Sequence, residues 1–269
     1  NRSSDLGPSL DGDGAEGAGM DSKDEENRIA MTLARRAYLY GAFHVVFGGG
    51  VHEASAAQLF GENTAGALAW LAGKVAADEG FSEKSVGLSL RTMTECVVEA
   101  VACVGEHSEG DAVSKATVAM EEDFPKLFQV PGDSYVRPWE SPYTSTDGML
   151  FRGSTLDVRS FYHQAGFRLQ AEQHFPDDHI SAMMDYMARM SQCVYEAYAD
   201  GRDENAAKTL RTQSDFLRKH VLTWVDAFAD EVIRKDIRAY YAAFAGAMAA
   251  FAHVDAAHVE KLAAELSAE

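Results

Sequence analysis

The placement of proline constrains this chain most. Of its six prolines, four (Pro125, Pro131, Pro138 and Pro142) fall in one short stretch, and none follows Pro176. Proline removes a backbone donor and clashes with the preceding turn, so no helix is expected to pass through that stretch. Residues 125–154 read as a long loop or hinge, and the aromatics Phe128, Tyr135, Trp139 and Tyr143 argue that it is ordered. The loop divides the chain into an N-terminal helical half, residues 28–124, and a C-terminal helical half, residues 155–269. Residues 1–27 are poor in apolar side chains and rich in Gly, Asp and Glu, and read as a disordered acidic tail.

Helical periodicity fills both halves. Ile29, Leu33, Ala37, Tyr40, Phe43 and Phe47 recur at helical spacing, and Gly48-Gly49-Gly50 ends that element. Further helices are expected over 52–60, 62–78, from Ser82 to about Val104, and over 111–124. In the second half they are expected over 155–171, 178–199, 204–224, 225–251 and 255–266. A second hinge, Phe175-Pro176-Asp177-Asp178-His179-Ile180, leads into an apolar face made by Ile180, Met183, Met184, Met187, Met190 and Val194. Asp177 or Asp178 is placed to cap that helix. No stretch alternates with period two between turn signals, so the fold class is all-α, a helical bundle with a long proline-rich loop.

Charge and cysteine use narrow the function. A net charge of −18 disfavours nucleic acid and anionic membrane as partners and favours a basic one. Three scattered cysteines without a CxxC pair form no disulfide framework and fit a reducing compartment. No apolar signal segment is visible, and the run from Ala239 to Ala252 is shorter than the ~20 residues of a membrane span. These features point to a cytoplasmic protein.

Catalytic signatures are weak. His174, Asp177, Asp178 and His179 are metal-ligand types, but a proline turn divides them and no helical face unites them. Gly48-Gly49-Gly50 lacks the Lys-Ser or Lys-Thr of a phosphate loop, and no Gly-x-Ser-x-Gly is present. Phe124, Leu127, Phe128, Trp139 and Tyr143, on or beside the proline-rich loop, suit an apolar peptide groove instead. A helical His/Asp metal-dependent hydrolase, or an interaction module with an unrelated partner, stands as the alternative.

Taken in order, the motifs resemble those of the TorD/DmsD/NarJ family of redox-enzyme maturation chaperones. The resemblance is carried by Phe124-Pro-Lys-Leu127-Phe128 with Pro131, Pro138-Trp139-Glu-Ser141-Pro142-Tyr143, Phe151-Arg152-Gly153, Pro176-Asp177-Asp178-His179-Ile180, and Phe216-Leu217-Arg-Lys-His220 followed by Trp224 and Phe228. Where the family usually has Glu before the hinge proline, this chain has Phe175. The resemblance implies a non-enzymatic cytoplasmic chaperone. Such a protein binds the twin-arginine signal peptide and the body of a molybdopterin oxidoreductase subunit, and assists cofactor insertion before export. It implies a client site containing Phe124, Leu127, Phe128, Pro138, Trp139, Tyr143, Pro176, Asp178 and His179, with Asp178 meeting a basic or donor group. The long proline-rich hinge is the kind of linker through which helical domains can swap, so a monomer or a domain-swapped dimer is expected. No cofactor is expected; guanine nucleotide is linked to the family, but no motif here supports it.

Overall fold

The computed structural model describes residues 14–49, 51–77, 88–108, 110–145, 153–169 and 176–268. Among the described residues there are eleven α-helices, one π-helical turn and no strand. In order these are α1 (Gly14–Phe47), α2 (Glu53–Leu59), α3 (Glu62–Ala76), α4 (Leu90–Glu106), α5 (Gly110–Phe128), α6 (Ser141–Thr144), α7 (Gly153–Gln164), α8 (Ile180–Ala199), α9 (Asp203–Phe216), the π-turn Leu217–Val221, α10 (Val225–Lys235) and α11 (Tyr240–Ala268).

Two packing axes organise the bundle. Along the first, α1 lies against α8 over much of its length. Ile29, Leu33, Tyr40, Phe43 and Phe47 form the buried face of α1, as their spacing requires. Along the second, α11 packs against α4, α9 and α10. Its residues Tyr241–Ala252 are almost all buried and mostly alanine, so neighbouring backbones approach closely. Gly246 marks the tightest point: a Cβ there would lie 2.4 Å from both Cβ and Sγ of Cys96 on α4. Among the described residues α11 alone is long and apolar enough to cross a membrane, but 83% of its most apolar window is buried in the protein.

A buried ion pair ties the axes together. Arg36 on α1 is inaccessible to solvent and donates to Asp255 on α11 from Nε (2.5 Å) and Nη2 (3.0 Å). The Asp255 carboxylate also accepts from Tyr40 (2.6 Å), and Gln213 on α9 accepts from Arg36 (3.1 Å). A charge this deep persists only when paired and hydrogen-bonded.

Several boundaries differ from the sequence reading, each for a local reason. Helix α1 begins at Gly14, inside the stretch read as a tail; Arg28 pairs with Glu25 one turn away and with Glu265 on α11. Helix α5 runs through Pro125 to Phe128, because Leu127 and Phe128 are buried and their burial outweighs the lost backbone bond. The expected helix 225–251 is broken at residues 236–239. There Asp236 accepts from the backbone N–H of Arg238 and Ala242 (3.2 and 2.9 Å), and Ala239 takes a left-handed φ of 66°. Helix α11 then runs without interruption past Asp255, whose carboxylate is engaged by Arg36 instead of opening a new helix. The expected start at Ser82 lies outside the described residues; the cap of α4 is Ser89, whose side chain accepts from Thr92 N (3.1 Å).

The contact at Gly246 yields a test. Gly246→Ala places a methyl group against the rigid Cβ of Cys96 and is expected to destabilise the protein by about 1–3 kcal/mol, despite the better helix propensity of alanine. Urea unfolding measures this; a gain in stability would refute the close approach of α4 and α11.

Candidate functional site

The proline-rich loop and the second hinge meet as a short antiparallel pairing. Ile180 N donates to Pro138 O (2.8 Å), and Glu140 N donates to Asp178 O (3.0 Å), which sets Trp139 opposite His179. Side chains lock the pairing. The Asp178 carboxylate, fully buried, accepts from Ser141 N (2.8 Å) and from the Ser141 hydroxyl at very short range. The Ser141 hydroxyl also lies 3.1 Å from that of Thr155 on α7. Asp177, equally buried, accepts from Arg159 Nε (2.7 Å), and its carbonyl accepts from the Tyr162 hydroxyl (3.0 Å). Both aspartates therefore join the loop, α7 and the start of α8.

A second polar link reaches the π-turn. His220, buried there, places Nδ1 3.1 Å from Glu140 and Nε2 3.4 Å from Asp157. Burial pushes the Glu140 carboxyl above its ordinary range, and the facing His220 opposes that shift. Trp224 Nε1 donates to His220 O (2.6 Å), which accounts for one backbone acceptor in the widened turn.

His179, and not either aspartate, caps α8. Its Nδ1 accepts from Ser181 N at 3.1 Å, so the ring proton sits on Nε2. The imidazole stands edge-on to Trp139, with ring centroids 5.4 Å apart. Burial, with a smaller contribution from His44, pushes its pKa down to about 3, so the ring is neutral at physiological pH. Behind it, His44 Nδ1 lies 3.0 Å from both the hydroxyl and the carbonyl of Ser181. Only glycine fits at position 48, where a Cβ would come within 2.6 Å of the Ser181 hydroxyl and the His44 carbonyl.

These elements surround one large cleft of about 1290 Å³. Phe47, Phe124, Phe128 and Tyr186 supply its apolar floor, with Trp139 and His179 beside them and Met190 and Cys193 along α8. Asp185, Glu196, Arg168 and Arg189 bring charge of both signs to its lining.

The structure divides the residues singled out from sequence. Phe124, Phe128, Trp139 and His179 line the cleft. Leu127, Pro138, Tyr143, Pro176 and Asp178 do not. Leu127 is buried, Tyr143 packs on Trp224 (5.3 Å between centroids) and bonds Glu231 (3.3 Å), and the Pro138 carbonyl is used in the hinge pairing. Pro176 is buried. Asp178, expected to meet a client, turns inward because Ser141 offers it two donors. Phe151 and Arg152 lie outside the described residues. Sequence reasoning missed Phe47, Tyr186, Asp185, Arg189 and Phe167. The spacing of Asp185 and Arg189, one turn apart on the flank of a Met-rich helix, was the available signal. Among the described residues no group of three or more His, Cys, Asp or Glu side chains is arranged to hold a metal ion.

An all-helical bundle in which a proline-rich loop pairs with an Asp-His hinge defines the class of protein. A model of the nitrate reductase delta subunit family matches residues 91–230, which contain the loop, the hinge and α8. The chain belongs to that family, the TorD/DmsD/NarJ group whose motifs it resembles. It is 28% identical over 153 residues to the chaperone protein TorD of Vibrio cholerae strain O395, covering 56% of this chain and 66% of that one. It is 29% identical over 124 residues to the probable Tat proofreading chaperone DmsD of Haemophilus influenzae, covering 46% and 54%. In both cases the chain spans less than two thirds of the relative's length.

Two outcomes follow from this geometry. Asp178→Ala leaves the buried Ser141 N–H without its acceptor and the Ser141 hydroxyl with only Thr155, and is expected to cost roughly 2–4 kcal/mol in urea unfolding. Asp178→Asn, which retains one acceptor, is expected to cost less. His179 is neutral when folded but takes a proton near its ordinary 6.5 when unfolded, so stability present above pH 6.5 is lost as pH falls towards 3. His179→Asn keeps a good cap and is expected to flatten that loss. Thermal midpoints from pH 7 to pH 4 check it, and parallel curves for the two proteins would exclude the ring as the source.

Proposed function

We propose that this chain is a maturation chaperone for a redox enzyme, holding the twin-arginine leader of a molybdopterin oxidoreductase subunit in the cleft until its cofactor is inserted. The observation that carries the reading is the cleft: its floor is aromatic, its lining includes Asp185 and Glu196, and most of it is built by the segment that defines the family. A leader of this kind joins a basic region to an apolar one, and the cleft offers a complement to each. The net charge of −18 adds attraction at long range.

The reading includes no catalytic step. The ionisable groups of the hinge are committed to internal bonds, Asp177 to Arg159, Asp178 to Ser141 and Glu140 to His220. The two relatives, a chaperone and a probable proofreading chaperone, accord with this. Binding a leader before export places the protein in the cytoplasm, and one chain supplies the cleft without a second copy. No cofactor takes part.

Calorimetry with a synthetic twin-arginine leader tests the reading. Wild-type protein is expected to bind one peptide per chain. Met190→Glu, which puts a charge into the half-buried apolar wall, is expected to weaken binding at least about tenfold while helical circular dichroism is retained. A wild-type protein that binds no leader would refute the function. Undiminished binding by Met190→Glu would move the site out of the cleft.

A further inference from the structure

The cleft already holds a guanidinium. Arg189 Nε donates to Asp185 Oδ1 at 3.0 Å, and its guanidinium carbon lies 5.6 Å from the centre of the Phe167 ring. Phe167 is itself held by Tyr162 and Tyr186, with ring centroids 5.0 and 5.8 Å away. Asp185 is mostly buried, with a side-chain exposure of 22%, whereas Arg189 is 66% exposed. The acceptor and the ring are thus fixed on the cleft wall, and the arginine is the displaceable member.

We infer that Asp185 and Phe167 form a guanidinium subsite, and that Arg189 occupies it as an internal stand-in until an arginine of the bound peptide displaces it. This rests on the leader-binding reading above and adds a residue-level selection to it. A carboxylate beside an aromatic face suits a planar, weakly hydrated guanidinium better than a compact, strongly hydrated ammonium. The subsite therefore selects arginine over lysine. Arg189 sets a threshold: a ligand gains from the subsite only what exceeds the internal contact it replaces. Such a contact, an exposed helical ion pair with a cation–π component, corresponds to about threefold to tenfold in affinity.

Calorimetry with two synthetic leaders, one carrying the arginine pair and one with both arginines replaced by lysine, tests the inference on the wild-type chain, Arg189→Gln and Phe167→Leu. Arg189→Gln is expected to bind the arginine leader about threefold to tenfold more tightly than wild type and to gain little for the lysine leader. Phe167→Leu is expected to reduce the arginine preference, with circular dichroism confirming an unchanged helical fold. If wild type binds the arginine leader and Arg189→Gln gains nothing, the subsite is refuted while the chaperone reading stands. A gain equal for both leaders also refutes it. If wild type binds neither leader, both readings fall.

Discussion

The contact between the Asp178 carboxylate and Ser141 is the constraint from which the functional half of this molecule is arranged. It is buried, it is charge-assisted, and it joins segments 37 residues apart in sequence. With it in place, the proline-rich loop cannot drift from the start of α8, and Trp139 must stand against His179. The neighbouring links, Asp177 to Arg159 and Glu140 to His220, extend the same restraint to α7 and the π-turn. The polar residues most prominent in the sequence thus serve as fasteners, and the cleft beside them is shaped mainly by aromatic side chains and by α8.

This separation explains what could and could not be read beforehand. The all-helical class followed from apolar spacing and from proline clustering, and the order of the motifs gave the family. The buried faces of α1 and α8 followed from periodicity as well. The inward turn of Asp178 was not legible, because a carboxylate's direction depends on the donors that face it, and those arrive from a distant loop. Arg36 was equally hidden: on a helix an arginine reads as a solvated position, and its partner Asp255 lies 219 residues away. Pro125 within α5 shows a local rule yielding to burial, since Leu127 and Phe128 have nowhere else to go.

The cleft itself combines fixed and adjustable parts. Phe47, Phe124, Phe128 and Tyr186 belong to the main core, so the floor shares the rigidity of the bundle. Met190, Arg189 and Glu196 project from the more accessible side of α8 and can adopt other rotamers at little cost. A rigid apolar floor with a pliable rim suits ligands that share a pattern of charge and apolarity more than a fixed sequence.

The Arg36–Asp255 pair also bears on how the protein comes into being. One wall of the cleft is the end of α1, yet α1 is anchored to a carboxylate that emerges from the ribosome 219 residues after its partner. Contacts between such remote segments close late, after the loop-closure entropy has been met. A nascent chain stalled between Glu196 and Asp255 would carry every cleft-lining residue yet lack this clasp, so the cleft's side chains are all made before the pair that anchors α1 can form.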